Sequence, residues 1–330
     1  MGDGEGMNNN LHLGDFTSNA STGATVPNYY GDALIELAAS RPDIVALNGD
    51  LAPATECAKF KEIYPDRFFS PGIAEANMVG MAAGMARNGD VPFVHTFSVF
   101  ISRRAFDQVA MQVAYPKLNV KLSGFLPGLT TLLGVSHQAI EDMALMRSLP
   151  NMTLIEPCCA SQIPAAVRAA AEHQGPVYLR MHRPARPMAD NEPLLPLHIG
   201  KAQMMKEGSD AIILASGHMV AEALSAANTL DEQGAKVSVA NIHSLKPLDV
   251  DFVIEHARRT GAVVTAENHS IIGGLGSAVA ETLLEAGVHA KFKRVGIQDT
   301  FAEGGSTDYL FDKYGLSAKH IVAAVQQLLS

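Results

Sequence analysis

From Tyr29 onward, short apolar runs alternate with stretches in which apolar residues recur every three or four positions. The runs predict strands at Ile44–Leu47, Pro92–His95, Leu118–Leu122, Met152–Ile155 and Val177–Met181. The periodic stretches predict helices over about 31–40, Glu75–Arg87, Arg103–Tyr115, about 138–148 and about 160–173. In the third of these, Phe106, Val109, Ala110 and Val113 share one face. Strands separated by helices pair in parallel, because each crossover returns the chain in the same direction.

The alternation stops at Pro184, Pro187, Pro193 and Pro196, where neither a helix nor a central strand continues. It then resumes with strands at Ala211–Ala215, Lys236–Asn241 and Ala262–Glu267. Helices are expected over about 219–233, 249–259, 276–286 and 318–329. The predicted fold class is α/β, with two doubly wound domains and mostly parallel sheets. Residues 1–22, rich in Gly, Asn, Ser and Thr, read as a flexible tail. The first domain is expected over 23–185, a linker over 186–196 and the second domain over 197–330.

Composition narrows the classes. The chain has 330 residues, 47% hydrophobic and 18% charged, enough apolar mass for two cores. Its net charge is -9, with no basic stripe for a phosphate backbone, so no nucleic-acid partner is expected. No apolar run approaches the ~18 residues of a membrane span, and no membrane association is expected. Three cysteines, Cys57, Cys158 and Cys159, show no zinc spacing and read as reduced thiols. With no signal-peptide pattern, a cytoplasmic location is expected.

Several local patterns bear on chemistry. Gly273-Gly274-Leu275-Gly276 follows a strand and opens a helix, the setting of a dinucleotide loop. Its third glycine position is Val279, so a tight turn with close helix packing is the preferred reading. Gly2-Asp3-Gly4 lies in the polar tail without flanking elements and is read as chance. Glu75 begins an otherwise apolar helix beside Val79, Met81, Ala82, Ala83 and Met85. Burial there would favour the protonated acid or a shared proton. Ala76, Gly80 and Gly84 share a face that permits close approach, either in a core or between subunits. Phe97 and Phe100 are core aromatics or a platform for a flat heterocycle. His137 lies in a glycine-containing loop and gains interest only in combination with these.

That combination resembles the transketolase family. The resemblance rests on five motifs in order: GIAEANM at 72–78, TFSVF at 96–100, SHQAIEDMALMRSLPNM at 136–152, HSLKPLD at 243–249 and AENHSIIGGLGSAVAE at 266–281. It spans about residue 23 to the end, and is to the small, C-terminal subunit of a two-component transketolase. The resemblance implies a pyrimidine-binding domain followed by a transketolase C-terminal domain. It also implies thiamine diphosphate and Mg2+, with the diphosphate and the metal held mainly by an N-terminal partner subunit that carries the diphosphate-binding domain. The assembly implied has two copies of each chain, with the active site between subunits. The activity implied is transfer of a two-carbon ketol unit from a ketose to an aldose, both small sugars or sugar phosphates.

Site residues follow position by position. Glu75 matches the glutamate that bonds a ring nitrogen of the aminopyrimidine and activates the cofactor. Ile73 lies in the segment that holds the cofactor bent. Phe97 and Phe100 match the aromatic pocket of the pyrimidine, and Arg103 stands where its third aromatic is usual. His137 matches a catalytic histidine near the donor hydroxyls, and Arg183 a substrate-phosphate arginine.

The departures are equally specific. Ala24–Pro27 replaces a stretch that often carries an arginine, Phe125-Leu126 stands where a histidine is usual, and Thr131–Gly134 replaces a Gly-x-Asp-Gly turn. Leucine accepts no hydrogen bond, so the resemblance implies a branched, modified or less phosphorylated substrate. Two other classes remain open. One is a β-type subunit of another thiamine diphosphate enzyme, a 2-oxo acid dehydrogenase or a relative of deoxyxylulose-phosphate synthase. The other is a non-catalytic assembly module.

Overall fold

The computed structural model of the chain describes residues 29–182 and 195–330. The expected tail, and most of the expected linker, lie outside the described residues. Two α/β sheets are present, both mostly parallel.

The first sheet contains β1 (Ile44–Asn48), β2 (Phe68–Phe69), β3 (Val91–Phe97), β4 (Lys121–Phe125), β5 (Thr153–Ile155) and β6 (Val177–Met181). The second contains β7 (Gln203–Lys206), β8 (Ala211–Ala215), β9 (Val237–Asn241), β11 (Ala262–Ser270) and β12 (Lys291–Ile297). Between β9 and β11 in sequence lies β10 (Ser244–Lys246), and it pairs antiparallel with β5 of the first sheet. The strand orders are β10-β5-β6-β4-β3-β1-β2 and β12-β11-β8-β9-β7. Every residue of β1, β3, β4, β5, β6, β8 and β9 is buried, as expected of parallel strands covered on both faces. Helices Tyr29–Ser40 and Ile163–Glu172 cover one face of the first sheet, where Leu34, Phe93 and Val167 meet. Helix Glu75–Arg87 contributes Met78, Val79 and Ala82 to the opposite core.

Three expectations shift. β4 begins three residues later than Leu118, with Lys121 opposite Phe93 and Val177. Lys121 reads as a polar break but is buried, its Nζ donating to Asn119 Oδ1 (2.6 Å) and to the carbonyls of His173 (2.7 Å) and Gly175 (2.8 Å). The helix expected at Arg103–Tyr115 is broken into a π-helical turn at Phe100–Arg104, a short α turn at Phe106–Gln108 and a second π-helical turn at Val109–Ala114. The helix expected from about 138 starts only at Asp142, and the residues before it form a loop.

Candidate active site

Helix Glu75–Arg87 follows a turn in which Gly72 takes φ +83°, a left-handed conformation that glycine tolerates. The turn leaves Ile73 73% exposed and sets Glu75 as the first helical residue, only 3% exposed. Its carboxylate thus lies at the positive end of the helix. Both carboxylate oxygens accept from Arg104 Nη1 at 3.3 Å.

β3 delivers the aromatic residues. Phe97 ends the strand and Phe100 opens the π-helical turn, with their rings 5.8 Å apart and tilted by 30°. The wide turn also brings Arg104 back over Phe100, with Cζ 3.9 Å from the ring centroid. His137 meets both rings edge-on, at 6.0 Å from Phe97 and 5.3 Å from Phe100. Burial, reinforced by the charge of Arg104, lowers the His137 pKa. Its Nδ1 lies 2.9 Å from Ser136 Oγ. Glu75, Phe97, Phe100 and His137 therefore gather in one place from three separate segments, with Arg104 at the centre.

The loop that carries His137 is shaped by the second half of the chain. Gly128 has φ +58°, and a Cβ there would fall 2.3 Å from the Asn268 carbonyl. Asn268 also accepts from Leu129 N at 2.9 Å through Oδ1, and Gln138 Nε2 donates to the Glu303 carbonyl at 3.0 Å. Arg103 secures the same loop from the other side. It pairs with Glu141 and donates to the carbonyls of Gln138 (3.1 Å) and Val135 (3.4 Å). Its fork is therefore engaged with the loop rather than with Glu75 or the phenyl rings. Leu126 is buried, while Leu132 and Leu133 are 47% and 39% exposed. Arg183 lies outside the described residues.

Sequence reasoning passed over Arg104, Asn268 and Glu141. The Arg103-Arg104 pair, two residues after TFSVF, was the available signal for the first. The glycine loop at 273–276 serves packing. Glu267 accepts from Leu275 N (2.7 Å) and Gly276 N (2.9 Å), and a Cβ on Gly274 would fall 2.0 Å from Glu267 Oε2. The place of a bound pyrophosphate is filled by the chain's own carboxylate.

The residues present fit a flat nitrogen-containing ring: a buried carboxylate as partner for a ring N–H, beside two aromatic rings that can sandwich or edge it. Among the described residues, no cluster of three His, Cys, Asp or Glu side chains could hold a metal ion. Nor is any helix among them long and apolar enough to cross a membrane.

Comparison with known proteins gives a consistent picture. Residues 23–188 match the family described as transketolase, pyrimidine binding domain, and residues 200–321 match transketolase, C-terminal domain. A 6-deoxy-6-sulfo-D-fructose transketolase subunit of Clostridium sp. (strain MSTE9) is 48% identical, over 91% of this chain and 92% of that one. A solved split-gene transketolase, described as an inactive β4 tetramer, is 46% identical, with a TM-score of 0.84 over 92% of this chain and 97% of that one. A 1-deoxy-D-xylulose-5-phosphate synthase of Desulforudis audaxviator is 35% identical over 94% of this chain but 49% of its own length.

Proposed function

The chain belongs to the transketolase family, and on that premise we propose that it is the C-terminal subunit of a two-component, thiamine-diphosphate-dependent transketolase. The observation that carries this reading is Glu75, buried at a helix start beside Phe97, Phe100 and His137. In this proposal Glu75 holds a proton at a ring nitrogen of the aminopyrimidine. Phe97 and Phe100 orient the ring, and Ile73, exposed beside Glu75, helps hold the cofactor bent. His137, at lowered pKa, offers a neutral imidazole to the hydroxyls of the donor sugar. When bound, the cofactor supplies the nucleophilic carbon and the electron sink. Its diphosphate and Mg2+ are assigned to an N-terminal partner subunit, in an assembly with two copies of each chain.

The donor is proposed to be a modified ketose that carries an anionic end. Leu126, Leu132 and Leu133 withhold hydrogen bonds that a hydroxyl-rich chain would use, and the 48% identical relative is named for a sulfonated ketose. Arg183 remains the proposed contact for the anionic group. Cys158 and Cys159 Sγ atoms lie 3.6 Å apart, well beyond the ~2 Å of a disulfide, and a cytoplasmic location is kept as part of this proposal.

The test is co-purification with the chain encoded beside it, followed by a ketose panel with thiamine diphosphate and Mg2+. A sulfonated or otherwise modified ketose should be the best donor. Xylulose 5-phosphate with ribose 5-phosphate as the best pair would reject the substrate reading. Turnover of pyruvate would favour a deoxyxylulose-phosphate-synthase-like activity, and no turnover of any donor an assembly role.

A further inference from the structure

Arg104 plays no part in the function proposed above, yet it touches two of its residues. Its guanidinium is flat, lies 3.9 Å over Phe100, and gives N–H to both oxygens of Glu75. A cofactor ring would use the same two contacts: a stack on Phe100 and a hydrogen bond to Glu75. Among the described residues, the other rings in contact with Phe100 are Phe97, tilted by 30°, and the edge of His137. The guanidinium is half exposed while the carboxylate beneath it is 3% exposed.

We propose that Arg104 is an internal stand-in for the aminopyrimidine, occupying the ring's place in the free subunit and swinging out when the cofactor docks. The inference rests on the reading of Glu75 and Phe100 as the ring's partners. It follows from two physical points. A buried carboxylate without a partner is costly, so a subunit that waits for its cofactor gains from a temporary cation. A half-exposed arginine can leave cheaply, because water takes over its charge. Until it leaves, the binding-competent arrangement is only a fraction of the population, and the apparent cofactor affinity falls by that fraction.

The experiment uses the full chain assembled with its diphosphate-binding partner. Thiamine diphosphate with Mg2+ is titrated by calorimetry into wild type, Arg104→Met and Arg104→Lys. Methionine keeps an apolar stem on Phe100 but cannot bond the carboxylate. We expect it to tighten binding roughly threefold to tenfold, the scale of an exposed cation–π contact plus a half-exposed ion pair. Lysine keeps the charge without the flat stack and should fall between methionine and wild type. Should Arg104→Met fail to assemble, binding tighter than wild type by Arg104→Lys upholds the proposal. Unchanged or weaker binding by the variant that assembles overturns it. Turnover of Glu75→Gln is measured alongside. If it is unchanged, the reading of the site itself falls; if it is lost, the affinities judge the stand-in alone.

Discussion

The carboxylate of Glu267 accepts the backbone N–H of Gly276 at 2.9 Å, and so closes the positive end of helix Leu275–Glu285 with a group from the preceding strand. Burial pushes the Glu267 carboxyl up to about 7, against the pull of Gly276 and Leu275 N–H. The folded state therefore keeps a proton that the unfolded chain gives up at ordinary carboxylate pKa. This group's contribution to stability is complete below its unfolded pKa and is lost as pH rises through about 7. Urea denaturation at pH 5 and pH 8 should show wild type losing about 1–3 kcal/mol relative to Glu267→Gln across that span, whatever the buried histidines add to both chains. An equal fall in both chains would count against the assignment.

Loss of Glu75 should abolish chemistry without unfolding the chain. Glu75→Ala removes the carboxylate proposed to hold a proton at the ring. Turnover in the assembled complex should drop by about 100-fold or more, the scale of general acid–base assistance. Circular dichroism should report an intact fold.

Arg103 distinguishes two roles. If it positions the His137 loop, as its bonds to Glu141, Gln138 and Val135 indicate, Arg103→Ala should raise KM for the donor sugar. About fivefold is expected for a partly exposed strap, with cofactor affinity within twofold of wild type. A large loss of thiamine diphosphate affinity would place Arg103 against the ring instead.

Arg180 should be the most sensitive structural position. It is fully buried and donates to Asp142 (Nε, 2.8 Å), Glu156 and the Asn268 carbonyl (2.9 Å). Burial opposes the charge on Glu156, but Arg180 and then His182 hold its carboxyl down to about 2. Arg180→Met would leave two buried carboxylates without their cation, at a cost of about 3–5 kcal/mol. Thermal denaturation of the free chain should show it as a melting point lower by several degrees.

Much of this architecture was legible because buried parallel strands are written as uninterrupted apolar runs. β1, β6 and β8 and helix Glu75–Arg87 stand where periodicity set them. What escaped had the wrong surface chemistry for its place. β12 reads Lys-Phe-Lys-Arg because it is an edge strand, with charges facing water. Lys121 looks like the end of a strand but satisfies its ammonium inside the protein. At the site, Glu75, Phe97, Phe100 and His137 were readable as motif residues. Arg104 was not, because its contacts depend on a π-helical turn that no apolar periodicity announces. The hold of Asn268 and Glu303 on the His137 loop was hidden too, since those residues lie more than 100 positions away in the chain.

β10 makes the two halves of this protein inseparable in practice. The chain crosses from the second sheet to lay Ser244–Lys246 along β5, and Lys246 Nζ bonds the carbonyl of Arg147 at 2.8 Å. A gene cut within the proline-rich stretch would strip that strand away. The first fragment would then display bare amide and carbonyl groups along β5, an invitation to self-association. Anyone dissecting this subunit should keep residues 244–246 with the upstream half, or expect precipitate where a soluble module was intended.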